Sequence, residues 1–134
     1  MEPLFLEVEE VLAIHENQIA RHGGTLGIRD QGLLESALAM PRAGMGGEYF
    51  HADLYEMGAA YLFHLVKNHP FLDGNKRVGL ATALVFLEMN GLWIGATNPQ
   101  LVDLTLAVAE GRLDKAGIAT FLRKHAVVRR RRRR

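Results

Sequence analysis

Residues 69–77 read His-Pro-Phe-Leu-Asp-Gly-Asn-Lys-Arg, placing a histidine, a carboxylate and two adjacent cations within nine positions. Helical patterns flank the segment on both sides. Gly74 and Asn75 look like the start of the second helix, and Lys76 and Arg77 fall in its first turn. First-turn N–H groups have no partner inside a helix, and the helix dipole adds partial positive charge there. Such a terminus takes anions readily, and flanking Arg and Lys favour phosphate. A base, an acid and a phosphate cradle on one short loop point to phosphoryl or nucleotidyl transfer.

Each of these residues has a structural reading beside its chemical one. A lone histidine is usually a satisfied structural side chain, but His69, six residues before Asn75, sits where a neutral imidazole can take a hydroxyl proton at physiological pH. Asp73 can cap the following helix, but the favoured and compatible role is holding Mg2+, which binds through one or two carboxylates plus substrate phosphates. Gly74 lets backbone approach phosphate closely, and the Asn75 amide can donate to a phosphate oxygen. Arg77, with its planar fork, suits a bidentate phosphate clamp, whereas Lys76 is a point charge beside it. A merely solvated helix face explains the two cations poorly, because the helix is otherwise apolar. Pro70 and Phe71 read as structural, one stiffening the loop and the other anchoring it in the core.

Other candidate sites fall away. His64 and His69 are five apart, whereas ligands on one helical face stand three or four apart, so no zinc site is expected. His15 lies on an apolar stripe and reads as packed. The glycines at 44, 46 and 47 lack the Lys-Ser/Thr of a Walker A loop, and Gly23-Gly24 reads as a helix terminator.

The elements that must position the loop are helical. Val8, Val11, Leu12, His15 and Ile19 recur at spacings of three and four, and the stripe closes at Gly23-Gly24. Asp30 caps a short helix bearing Leu33, Leu34, Ala37 and Leu38, which Pro41 stops. Residues 42–51 read as a mobile, glycine-rich loop, and a third helix spans about 53–68. Residues 75–90 are apolar on nearly every side, as in a helix central to its domain, with Gly91 as a left-handed stop. Asn98 as cap and Pro99 at the first helical position start the next helix, which ends at Gly111, and Asp114 begins a last one through about Ala126. No alternating strand pattern exceeds four residues, so the expected fold class is all-α. No side chain explains Gly79 from sequence alone.

Composition sets the bounds. The chain has 134 residues and no cysteine, which implies one domain without disulfides or thiolate metal sites and fits a reducing cytoplasm. The acidic start MEPLFLEVEE does not resemble a signal peptide, and the longest apolar run, 78–87, is half a membrane span, so a soluble intracellular protein with no membrane partner is expected. Six of the positive charges lie at 129–134, so the net charge of +1 leaves −5 on residues 1–128. That acidic domain argues against specific nucleic-acid binding. The expected division is a domain at 1–128 and a self-repelling, disordered poly-Arg tail at 129–134, capable only of non-specific nucleic-acid contact.

The loop resembles the HxFx[DE][GA]N[GK]R signature of the Fic/Doc superfamily, with lysine at the eighth position as in the Doc (death-on-curing) family. Residues 11–30, VLAIHENQIARHGGTLGIRD, and 84–91, LVFLEMNG, are similar to the family segments before and after the loop, and the resemblance runs from about 5 to 126. Within it, a local ion pair plus helix cap explains Arg29-Asp30 as well as any functional role. The resemblance implies a Fic/Doc-type helical bundle whose central buried helix follows the loop. It also implies a toxin of a type II toxin–antitoxin pair that uses ATP and Mg2+.

By that resemblance His69 deprotonates a protein hydroxyl, Asp73 holds the metal, and Gly74, Asn75, Lys76 and Arg77 bind the nucleotide, with Asp73, Lys76 and Arg77 also catalytic. Lys76 replaces the glycine of AMP-transferring Fic proteins, which implies a reversed nucleotide and γ-phosphate transfer to a Thr/Ser hydroxyl of a translation protein such as elongation factor Tu. Transfer of AMP, or a non-catalytic antitoxin-binding or co-repressor module, are the alternatives. No [ST]xxxE[GN] inhibitory motif is present, and Thr105 to Glu110-Gly111 has one residue too many. The implied restraint is therefore a separate Phd-like antitoxin at the active-site groove, whose disordered segment folds as it binds.

Overall fold

The computed structural model of the chain describes residues 2–127. Apolar spacings of three and four become α1 (Val8–His22), α2 (Gln31–Ala39), α3 (Leu54–Asn68), α4 (Asn75–Met89), α5 (Asn98–Ala109) and α6 (Lys115–Lys124). Antiparallel two-residue strands pair β1 (Gly44–Met45) with β2 (Glu48–Tyr49), and β3 (Trp93–Ile94) with β4 (Ala126–Val127). The all-α expectation holds. The poly-Arg tail expected at 129–134 lies outside the described residues.

Local chemistry accounts for most helix starts. The carboxylates of Asp30, Asp53 and Asp114 each accept an N–H from the third residue of the helix they precede. The α5 start differs from the sequence expectation. Thr97, not Asn98, is the cap, because its hydroxyl accepts from Gln100 N–H while the Gln100 side chain accepts from Thr97 N–H. The glycine-rich segment expected to be a loop is instead a tight hairpin, its turn made by Gly46 and Gly47 at φ 62° and 84°. The last helix stops at Lys124 rather than Ala126, because Ala126–Val127 pairs with Trp93–Ile94.

Helices α3 and α4 lie along each other at the centre, with α1 and α5 also on α4, and with α2, α5 and α6 on α3. Met57, Tyr61, Leu62, Leu65 and Val66 of α3 face Val78, Ala83, Phe86 and Leu87 of α4 in one buried cluster. Burying each of the Val, Leu, Met and Phe side chains among them stabilises the fold by about 1.5–3 kcal/mol. Gly79 now has its explanation. A Cβ there would lie 3.0 Å from Val66 Cγ2 and 3.3 Å from the Leu62 carbonyl oxygen, so glycine allows α4 to close on α3. The consequence is positional: the C-terminus of α3 and the N-terminus of α4 are held side by side, with residues 69–74 bridging them. No helix among the described residues is long and apolar enough to cross a membrane.

Candidate active site

His69 is the C-cap of α3 and sits in the left-handed region at φ 52°, ψ 53°. It is the one non-glycine residue with positive φ among the described residues. Such a conformation costs an L-residue roughly 1–2 kcal/mol, so neighbouring contacts must maintain it. Those contacts come from the segment before α2. Arg29 donates through Nε to the His69 carbonyl at 2.6 Å and through Nη2 to the Asn68 carbonyl at 3.0 Å. The N–H groups of Arg29 and Asp30 both donate to the Pro70 carbonyl, and Leu72 N–H donates to the Gly27 carbonyl. Ile28 thereby pairs with Phe71 in an isolated antiparallel bridge. The local ion pair expected between Arg29 and Asp30 is absent among the described residues: Asp30 caps α2, while Arg29 reaches across to the loop.

Phe71 is fully buried, as expected of the loop anchor. Its ring stacks on His15, with centroids 3.8 Å apart and planes 8° from parallel. His15 is packed but not inert. Its Nε2 lies 2.8 Å from the Asp73 carbonyl oxygen, which can only accept, so that nitrogen carries the proton. The bridge to Ile28 leaves Phe71's own N–H and C=O facing the other way, and the Asn75 side chain takes both. Asn75 Oδ1 accepts from Phe71 N–H at 2.9 Å, and Nδ2 donates to Phe71 O at 3.0 Å. This corrects the expectation for Asn75: its amide is buried and turned into the loop rather than toward a phosphate. What Asn75 offers an anion is its main-chain N–H.

Gly74 precedes α4 at φ 76°, a conformation that disfavours other residues, and a Cβ there would stand 3.1 Å from Ile19 Cδ1. The first helical hydrogen bond of α4 runs from Val78 N–H to the Gly74 carbonyl. The N–H groups of Asn75, Lys76 and Arg77 therefore have no acceptor among the described residues. Lys76 is exposed without a hydrogen-bond or ion-pair partner there. Arg77 rests its Nη1 on the last carbonyls of α1, 3.2 Å from Gly23 O and 3.5 Å from His22 O.

Asp73 is exposed, and two N–H groups orient its carboxylate, Thr25 to Oδ2 at 3.1 Å and Gly74 to Oδ1 at 2.9 Å. These two bonds, Thr25's first, hold its pKa below the usual carboxylate value, with the Arg77 charge adding to the effect. It does not cap α4 from the N-cap position, which Gly74 occupies. An ionised carboxylate with lone pairs left over suits a divalent cation. No group of three or more His, Cys, Asp or Glu among the described residues forms a cage, so any Mg2+ held at Asp73 must complete its shell with water and phosphate oxygens.

His69, Asp73, Gly74, Asn75, Lys76 and Arg77 all border one cleft of about 520 Å³. All six residues singled out in the sequence thus converge. The cleft also takes in residues that sequence reasoning left aside: His22, Gly23, Gly24, Val66, Leu72 and Ala109. Gly23 and Gly24, read only as a helix terminator, form part of the wall. A Cβ on Gly24 would meet Asp73 Oδ2 at 2.8 Å, so that glycine makes room for the carboxylate. A larger groove of about 930 Å³, beside Glu2, Tyr49, Phe50 and Met89, holds none of the six.

The Fic/DOC family model matches residues 5–87 of the chain. Over 116 residues the chain is 37% identical to "Protein kinase doc" of Escherichia phage P1, covering 87% of this chain and 90% of the relative. Over 120 residues it is 41% identical to "Toxin Doc" of Mycolicibacterium smegmatis, covering 88% and 90% respectively.

Proposed function

The chain belongs to the Fic/DOC family, and on that footing we propose that it is a Doc-like toxin with protein kinase activity, moving the γ-phosphate of ATP to a Thr or Ser hydroxyl of a translation protein such as elongation factor Tu. The observation that carries this reading is the shared cleft. A histidine at the end of α3 faces the open N-terminus of α4, with Asp73, Lys76 and Arg77 on the same wall. The relative from phage P1, named a protein kinase, supports phosphoryl over nucleotidyl transfer.

In this reading the triphosphate lies across the first turn of α4, where unpartnered N–H groups, Arg77 and Lys76 offset its charge. His69 takes the proton of the target hydroxyl as its oxygen bonds to the γ-phosphorus. The bond from γ-phosphorus to the bridging oxygen breaks, and ADP leaves with that oxygen. Mg2+ at Asp73 would offset charge between the phosphates. Lys76, where AMP-transferring relatives carry glycine, adds bulk and positive charge near the helix start, which favours the terminal phosphate beside His69 over the α-phosphate. Translation then stops in the cytoplasm of the host cell.

Restraint comes from a separate Phd-like antitoxin whose disordered segment folds against the active-site groove. The nearest internal candidate, Glu110, is engaged with Arg112 at 2.7 Å and follows Thr105 at the wrong spacing. Growth arrest on expression of the chain alone, relieved by His69→Ala, is expected, and harmless expression of the active chain counts against it.

The deciding experiment adds γ- or α-labelled ATP to a bacterial lysate with the protein. Label from the γ position is expected on a protein of the mass of elongation factor Tu, dependent on Mg2+ and His69. Label from the α position alone overturns the kinase reading in favour of AMP transfer. No label from either leaves a non-catalytic binding module.

A further inference from the structure

We propose that Arg29 is a positioning residue for His69: its guanidinium, bonded to the last two carbonyls of α3, sets the left-handed turn that aims the imidazole into the cleft. The inference rests on the catalytic role given to His69 above.

A helix that ends in a left-handed residue normally does so at glycine, with its final carbonyls taken up by following N–H groups. Here the residue is histidine, and the following position is Pro70, which has no N–H to offer. The Asn68 and His69 carbonyls are instead satisfied from a distant segment. Arg29 Nη2 donates to the first at 3.0 Å, and Nε donates to the second at 2.6 Å. A planar fork spans two adjacent carbonyls in a way that a single ammonium cannot.

Arg29 is itself fixed from both sides. Its own N–H is bonded to the Pro70 carbonyl, Ile28 before it pairs with Phe71, and Asp30 after it caps α2. Asn68 is tied from the same direction, donating through Nδ2 to the Leu33 carbonyl in α2. Arg29 does not border the cleft, and the bonds of its guanidinium go to the main chain of residues 68 and 69. It is also solvent-exposed, so its bonds add little to global stability while fixing two carbonyl directions. A geometric role of this kind shows in turnover, because small misplacement of a catalytic group is costly in rate.

The test compares Arg29→Ala, Arg29→Lys and Asp30→Ala with the parent, each in the full chain. Asp30→Ala is the control for a purely structural loss, because it removes the α2 cap while leaving Arg29 in place. Backbone 13Cα and 13Cβ shifts of His69 report its left-handed conformation without any nucleotide, and γ-phosphate transfer reports its use. Arg29→Ala is expected to lose the left-handed signature at His69 and to lower kcat at least about tenfold, with KM for ATP and melting temperature nearly unchanged. Arg29→Lys is expected to recover only part of kcat. Asp30→Ala is expected to lower the melting temperature with His69 shifts and kcat retained. His69 shifts or kcat unaltered in Arg29→Ala overturn the inference, as does a kcat loss in Asp30→Ala equal to that of Arg29→Ala. If the parent transfers no phosphate, the kinase reading fails, and the His69 shifts still decide what Arg29 does to the turn.

Discussion

Replacing Asn75 by alanine separates two roles for that residue. In the structure its amide closes on both main-chain groups of Phe71, at 2.9 Å and 3.0 Å, inside the protein. Phe71 cannot find substitutes locally, because the pairing with residues 27–29 uses the N–H and C=O groups of its neighbours instead. Alanine therefore orphans one buried donor and one buried acceptor. At about 1–3 kcal/mol for each unsatisfied group, the expected loss is about 2–6 kcal/mol. Urea unfolding followed by helical circular dichroism reads this directly. For a domain of this size, with a slope of about 2 kcal/mol per molar, the midpoint should fall by about 1–3 M at unchanged slope. Asn75→Asp keeps an acceptor for Phe71 N–H but sets a second oxygen against Phe71 O, so it should rescue little. An Asn75→Ala midpoint within experimental error of the parent, together with weakened nucleotide binding, would refute the inward assignment and return the amide to the phosphate.

Three further outcomes are expected. Arg77→Ala removes an exposed guanidinium that rests only on α1 carbonyls, so circular dichroism should stay native while phosphate transfer falls about a hundredfold or more; near-normal transfer would remove Arg77 from the site. Gly79→Val places methyl groups where Val66 and Leu62 already sit, and should cost about 1–3 kcal/mol in a thermal melt; an unchanged Tm would mean that α3 and α4 do not approach as described. His64, half-buried and 3.1 Å from Lys115 Nζ, is pushed down to about 4, by burial first and the ammonium second. The unfolded chain takes a proton at 6.5, so between 6.5 and 4 it binds more protons than the fold, and stability falls as pH drops through that window. Because the ring is partly solvated, the loss is about 1–2 kcal/mol, and His64→Gln should flatten the slope measured by urea midpoints from pH 7 to 4.5; parallel slopes would count against it.

Much of the fold follows from short-range chemistry that is written into the chain. Aspartates at 30, 53 and 114 each cap a helix start, and stripes such as Val8, Val11, Leu12 and His15 say which face turns inward. The membership of the candidate site was legible for the same reason: nine consecutive residues carry it, so spacing alone keeps the histidine, the carboxylate and the cations within one short segment. Their orientation was not legible, because it depends on partners about 40 to 60 positions away. Arg29 bends His69 into the left-handed region, His15 and Thr25 pin Asp73 from opposite atoms, and Gly24 yields space to its carboxylate. Asn75 shows the limit most clearly. At a helix start its amide is as fit to meet phosphate as backbone, and only the way residues 27–29 pair with the loop leaves Phe71 needing it. Spacing along the chain decides which groups are neighbours, whereas hydrogen-bond satisfaction in the packed interior decides which way each of them faces.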